Sequence, residues 1–583
     1  MKSFNQFNVL SRRSFLDRSF KTSLAIALST LSDIPLTMKR ALAEGSIGLN
    51  GKKVLFIWLR FGNDSLNSVI PILDPAYTGD GGSLASIRPN IGIPKDPATD
   101  YTATGPADFP TGDPSAVYAY SNAIRLGNGF AALHPSLKFL SPVYNAGDLA
   151  LIQRTAYPRQ SRSHFDSQNY WENGNPNNNL SKDGIFYRTI IESGLANTSP
   201  LTGVSVQSAL PLLLRGSKAA MTNLTSPTRY DLLGLPNTTD GNNKANNAVN
   251  AANYYSFAAK RSRELLELQY QNMSNTLQIF SGIDFNETGN QFRDDEQTDG
   301  DAAWANANGG KGYYLFPTTN DKNGGYRRPD NSTNVNKRVV NSNHQSFFTN
   351  LKAAAMILNN TDAIIAGTEI GGFDTHQTEG GATGTHADLQ KVIGWSMYAL
   401  RKYFSNHANK VNWDNVVVVT LSEFGRTSVE NTDKGTDHAE AGAMFVAGGS
   451  IKGYGQGNAT GVFGCSPNEF GSGDSKNWIP GPRTSSLATC GTMFAANTTV
   501  QAGYLRRSCD YRSVLGEVIR KHLGATQPQL NRIIAGYANP AENLLNGGPS
   551  TDGVQIRGEV GILSSVPART SDGEGLSSYW IFL

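Results

Sequence analysis

The sequence predicts an α/β fold: a doubly wound, mostly parallel sheet with helices on both faces. Three observations lead there. Five short, almost wholly apolar runs punctuate the chain, at residues 54–59 (VLFIWL), 149–152 (LALI), 363–366 (AIIA), 416–421 (VVVVTL) and 443–447 (AMFVA). Helical patterns separate several of them, and Asp, Glu, His and Arg gather directly after them. Continuous β-rich runs without polar alternation fit strands covered on both faces, and strands alternating with helices fit a doubly wound sheet.

The chain opens with the three-part layout of a secretory signal over residues 1–43. Arg12 and Arg13 precede Ser14, Phe15 and Leu16, a mildly apolar segment follows, and Ala41-Leu42-Ala43 offers a small-residue cleavage site. Paired arginines select the route that exports folded proteins, so the twin-arginine machinery is an expected partner and the periplasm or extracellular space an expected location. Lys21 and Asp33 make the apolar segment too polar for a membrane span. No other stretch approaches the roughly 18 apolar residues a span needs, so none is expected after cleavage.

Residues 51–540 read as one α/β domain. Residues 344–358 carry a helical pattern. Thr385 and Asp388 resemble a capping box before an apolar face running from Leu389 to Phe404. Residues 510–523 form another helix that stops at Gly524, a residue suited to a left-handed cap. Residues 172–340 differ, with one long helix near 252–280 among Asn/Gly-rich loops, and read as an inserted cap region. Residues 541–583 are Gly/Ser-rich and read as an extended surface tail.

Charged residues make up 17% of the chain and the formal charge is +3. A nearly neutral chain of this length lacks the basic footprint of a nucleic-acid binder. Cys465, Cys490 and Cys509 form no C-x-x-C pair, which argues against a zinc knuckle or a thioredoxin-like site. One disulfide with a spare thiol would suit an oxidising compartment. A protein that folds before export cannot depend on that disulfide for its core.

The residues that carry chemistry follow the apolar runs. Arg60 and Asp64 come after the first. Ser161, Arg162, Ser163 and His164 come after the second, Asp374 and His376 after the third, and Glu423 and Arg426 after the fourth, with Asp437 and His438 beyond. In an open α/β sheet, ligands bind outside the carboxyl ends of the strands, so a parallel sheet would deliver all these groups to one rim. Asp, Glu and His without cysteine suit divalent Zn, Mn or Mg, and neighbouring arginines suit a multi-oxygen anion. Each has a blander reading. Asp64 could cap a helix starting near Ser65. His164 alone could be a packing histidine, and Glu423 and Arg426 a surface ion pair. Asp374-x-His376 is the stronger signal, and Asp437-His438 lies in a Gly/Thr-rich loop. His134, His344, His386, His407 and His522 carry no assigned role.

GGFDTH, SEFGRT and GTDHAEAGAMFVAGG, with LRFGNDSLNSVIP, SRSHFDSQ and DYRSVLGEVIRKHLG, resemble an uncharacterised family of twin-arginine-exported bacterial proteins. That family is classed as a domain of unknown function in the alkaline phosphatase and sulfatase superfamily, and the resemblance covers roughly residues 51–525. It implies an alkaline-phosphatase-like sheet, one or two divalent ions, and a hydroxyl nucleophile at a helix start, here in the region of Ser161 or Ser163. Asp64 would match the carboxylate after the first strand, and Asp374 with His376 one metal's pair. Glu423 would stand where phosphatases have an Asp-His pair, and His438 or Asp437 would supply a later ligand. The sulfatase cysteine motif is absent, which argues against a formylglycine enzyme.

The expected function is therefore exported, metal-dependent hydrolysis of small phosphate or sulfate esters. Ser161 or Ser163 would attack while Arg60, Arg162 or Arg426 neutralises developing charge. The alternative is a non-catalytic envelope or glycan-binding protein that keeps the fold. A Ser-His-Asp hydrolase is disfavoured, since no G-x-S-x-G elbow occurs.

Overall fold

The computed structural model describes residues 47–48, 51–79, 86–109, 121–197, 201–227, 342–405, 411–457, 459–465, 469 and 503–563, with short pieces between 276 and 318. The expected signal segment lies outside the described residues.

All five apolar runs become strands of one sheet. Its members are β1 (Lys53–Leu59), β2 (Leu149–Ala156), β3 (Gly203–Val206), β4 (Thr222–Leu224), β5 (Ile365–Ile370), β6 (Val416–Leu421), β7 (Gly442–Ala447), β8 (Val462–Phe463) and β9 (Cys509–Asp510). Across the sheet they run β8-β2-β7-β6-β1-β5-β3-β4, and β9 also pairs with β2. Every pairing is parallel except those of β7, which runs antiparallel to β6 and β2. The sheet is mixed and mostly parallel, with helices around it.

Alternation along β1 shows why it had to be apolar throughout. Leu55, Ile57 and Leu59 face a core shared with α4 (Gln345–Asn360) and α5 (Thr385–Ser405). Val54, Phe56 and Trp58 face a second core shared with α3 (Ile185–Glu192), α6 (Tyr511–Glu517) and α7 (Gln527–Ile533). Successive side chains point to opposite faces, so a strand covered on both sides has no polar alternation. Asp510 caps α6 by accepting from the Arg512 N–H, and the helix continues through a π-helical turn, Val518–His522, to Gly524 at φ +81°.

Register fixes the functional rim. Trp58 lies opposite both Glu369 and Leu421, so β1, β5 and β6 end at the same level. The chain leaving each strand emerges on one edge. Because β7 runs the other way, the segment that precedes it, not the one that follows, reaches that same edge.

Two boundaries differ from the sequence reading. The insertion does not begin at 172: α3, β3 and β4 belong to the main sheet and its covering layer. Their strands are only three or four residues long and lack an apolar run. The predicted long helix near 252–280 lies almost wholly outside the described residues. The tail is not an extended surface segment between 541 and 563. Leu544, Ile556, Val560 and Ile562 are buried, and the Gly561 and Leu563 N–H groups donate to Glu517. Finally, Cys465 and Cys509 are buried free thiols, so no disulfide joins them, and Cys490 lies outside the described residues. No described helix is long and apolar enough to cross a membrane.

Candidate metal centre

The rim is built by sharp turns at strand ends. After β1 the chain turns through Phe61 (φ +83°) and Gly62 (φ +82°). A left-handed aromatic residue is an outlier, of the kind found where the surroundings over-determine the backbone. Here the Phe61 N–H donates to Glu423 Oε1 at 2.7 Å and the Phe61 carbonyl accepts from Arg426. A Cβ at Gly62 would lie 2.7 Å from the Phe424 ring, so only glycine passes there.

His164 is the first residue of α2 (His164–Asn173), whose N-cap is Ser163. Its Nδ1 lies 2.9 Å from Glu423 Oε1, and the Glu423 side chain is 1% exposed. His376 Nδ1 lies 3.0 Å from Asp437 Oδ1. His438 Nδ1 lies 2.9 Å from the Arg162 carbonyl. Each of these oxygens can only accept, so each imidazole donates from Nδ1 and carries its lone pair on Nε2.

Those lone pairs converge. His376 Nε2 and His438 Nε2 are 2.9 Å apart. Asp374 Oδ1 is 3.0 Å from the first and 3.1 Å from the second, while Asp374 Oδ2 is 3.6 Å from His164 Nε2. One ligand atom each from His164, Asp374 and His438 falls within 4.8 Å of the others. Among the buried polar atoms, His164 Nε2 has no hydrogen-bond partner. Lone pairs facing one another and a carboxylate repel unless a cation lies between them. Tetrahedral bonds of about 2.0–2.1 Å place ligand atoms roughly 3.3 Å apart, the spacing seen here. The donor set therefore fits a divalent ion.

Electrostatics favour the ligating forms. Burial opposes ionisation of Asp374, but the hydrogen bond and charge of Arg426 outweigh it, and the carboxyl falls to about 2. Burial lowers the His438 imidazole below its ordinary value, which keeps it neutral.

The remaining candidates divide. Glu423 and Asp437 touch ring nitrogens opposite the convergence point, so they orient ligands in the manner of carboxylate–histidine–metal triads. Arg426 is wholly buried. It donates to the carbonyls of Gly62 (2.9 Å), Phe373 (3.0 Å), Thr436 (3.1 Å) and Phe61 as well as to Asp374, so it cannot bind a substrate anion. Arg60 is paired with Glu172 and Glu369. Arg162 is exposed, stacks 5.2 Å over the Tyr504 ring and donates to its hydroxyl. Ser163 Oγ accepts from the Asp166 N–H at 3.4 Å, and Ser161 Oγ from the Ser163 N–H at 3.2 Å. Neither hydroxyl has a hydrogen-bonded base.

Asp64 lies apart from these residues, in the second group whose atoms could hold an ion. It caps the short helix α1 (Ser65–Ser68), and Arg88 grips both its oxygens. Its neighbours are Glu379 and His386, all three buried, in a cluster separate from the imidazoles. Sequence reasoning missed Arg88, Glu379 and His386. Arg88 follows no strand, and His386 sits inside an amphipathic helix where a packing histidine looks identical.

The sequence profile of a family described as a protein of unknown function (DUF1501) matches residues 52–469. No curated protein and no solved structure matches the chain.

Proposed function

The chain belongs to the DUF1501 family, and from its site we propose that this member is an exported, metal-dependent hydrolase of phosphate or sulfate esters. The motifs after the strands support placing it within the alkaline phosphatase and sulfatase superfamily, and the Arg12-Arg13 segment supports export. One observation carries the activity: the Nε2 atoms of His164, His376 and His438 gather on Asp374 while every Nδ1 is braced by an oxygen. His164, Asp374 and His438, with His376 beside them, would hold a divalent ion, and that ion would supply Lewis acidity toward an ester oxygen and toward water.

The chain's own residues prepare that chemistry. Glu423 and Asp437 hold protons on Nδ1 of His164 and His376, which keeps both Nε2 lone pairs free. Arg426 keeps Asp374 anionic without being consumed by substrate. The Ser161 and Ser163 hydroxyls are turned toward backbone amides and lack a base, so water is the nucleophile this geometry favours. Arg162 is exposed and its carbonyl accepts from His438, so its guanidinium would be available to the ester's anionic oxygens.

The test is elemental analysis of the purified full chain together with chromogenic phosphate and sulfate esters. The expected result is one tightly held divalent ion per chain and turnover that chelation abolishes. Absence of both stoichiometric metal and turnover overturns the proposal.

A further inference from the structure

Phe61 borders the imidazole cluster and also lines a cleft of about 400 Å³. Its ring packs edge-on against His164, with centroids 5.3 Å apart, and is 43% exposed. It also lies 3.4 Å from the point a Gly371 Cβ would occupy, so backbone as well as imidazole holds it in place. Four large apolar side chains are exposed among the described residues, and two of them are Phe61 and Phe165, the residue after His164. Open apolar surface is thus concentrated at one candidate ligand.

The backbone makes Phe61 the informative residue. At φ +83° a glycine is unstrained and a side chain is disfavoured. The ring belongs to neither hydrophobic core, so burial offsets little of that strain. Outliers of this kind gather where a ligand is handled.

Most polar groups of the cleft are already engaged with one another. Arg60 pairs with Glu172 and Glu369. The Gln168 amide donates to Glu172 at 3.0 Å, and the Gln207 amide to Glu369 at 3.1 Å. The Leu213 N–H takes the second Glu172 oxygen at 3.0 Å. Asn169 and Arg215 lie outside this network and also line a second cleft of about 460 Å³. What the first cleft still offers a ligand is mainly hydrocarbon: the Phe61 ring and the wall of Leu210, Pro211 and Leu212.

Resting on the hydrolase reading above, we infer that the ester's alcohol portion is apolar and ring-bearing, and that it packs on Phe61 in this cleft while the anionic end reaches the imidazole cluster. An aromatic ring suits the place, since offset or edge-to-face contact with Phe61 adds to the apolar area removed from water. Phe61 is then the residue that selects the substrate.

The experiment compares phenethyl with ethyl esters of phosphate and sulfate on the metal-loaded full chain. The two alcohols are of similar acidity, so the leaving groups are matched. Binding of phenethylphosphonate and ethylphosphonate, which are not hydrolysed, is measured beside turnover. Phenethyl esters should show kcat/KM about 30-fold above ethyl esters, the effect of burying one ring whose binding energy is used at the reacting centre. Phe61→Gly, which relaxes the backbone, should melt within a few degrees of the wild type and lower that ratio about tenfold. If Phe61→Gly fails to fold, Leu210→Asn serves, with a smaller drop in the same ratio. Equal turnover of the two esters, or a ratio that the variant leaves unchanged, overturns the apolar site and leaves the hydrolase reading standing. Phenethylphosphonate bound more tightly by the wild type than by the variant, with no turnover of any ester, upholds the site and removes the hydrolase reading. Neither turnover nor a preference in binding overturns both.

Discussion

Asp374 and Asp64 both follow a strand end, and both are held by an arginine, yet they belong to opposite kinds of cluster. Each lies with histidine and other acidic or imidazole groups whose ligand atoms fall within 4.8 Å of one another. Distance alone cannot separate them. Around Asp64 the counter-charge is internal. Arg88 satisfies both carboxylate oxygens, and burial beside Asp64 pushes Glu379 well above the usual carboxyl range, so it stays protonated. Burial also lowers His386 to about 4, leaving it neutral. The cluster balances without help. Around Asp374 the arginine spreads its donors over four carbonyls, and imidazole lone pairs face the carboxylate with nothing between them. A potential metal site is recognised by a deficit of positive charge, not by proximity.

Breaking the internal balance should have the largest effect. Arg88→Met leaves the Asp64 charge buried and unpaired, which should cost about 3–5 kcal/mol of stability in urea unfolding. Adding Asp64→Asn should recover most of that loss. Asp374→Asn, in the open cluster, should change the stability of the chelated protein by less than about 1 kcal/mol. Its effect should appear in metal content instead, with affinity reduced by more than about 100-fold by competition with a chromogenic chelator, beyond what outer partners contribute.

Glu423→Gln and Asp437→Asn sharpen the contrast. Each keeps the side chain's shape but removes the charge that braces a ring nitrogen, so metal affinity should fall about 10- to 100-fold while ligand number is unchanged. Equal affinities would show that the carboxylates are bystanders.

Acid should separate the clusters as well. Ligation requires neutral imidazole, so metal occupancy should fall as pH drops and protons compete with the ion for the ring nitrogens. The burial-lowered His438 delays its own share of that loss.

The smallest effect belongs to Glu379→Gln. The amide copies a protonated carboxyl, donating toward Asp64 and accepting from Thr436 Oγ1, which now donates to Glu379 Oε2 at 2.7 Å. Near pH 5 stability should change by less than about 1 kcal/mol. Because the folded pKa is raised, the folded state keeps a proton that the unfolded chain releases above about 4.5. Wild-type stability therefore declines as pH rises from there toward the folded value, and the variant lacks that decline. Parallel pH profiles for the two proteins would count against a protonated Glu379.

Much of the sheet was legible because two-sided burial demands uninterrupted apolar runs, and all five runs became strands. The single reversal, β7, left no trace, since direction is not encoded in an apolar stretch. Strands β3 and β4 were hidden because GVSV and TNL are too short to show a pattern. The buried tail was masked by glycine and serine, with its anchoring residues, such as Leu544 and Ile562, spaced irregularly. At the site, His164, Asp374, His376 and His438 were readable from their position after strands or before β7. Asp64 looked equivalent in sequence, because the arginine that neutralises it lies 24 residues away in a loop. Charge compensation between distant segments is a three-dimensional fact.

Arg426 has one more implication. By fastening the turn after β1, the loop after β5 and the loop before β7 to a single guanidinium, it keeps the ligand-bearing segments assembled whether or not an ion is bound. A seat that is ready in advance asks little rearrangement of its occupant. Zinc and manganese should then exchange in it without unfolding the rim, and which metal resides there would be decided by what the surroundings supply.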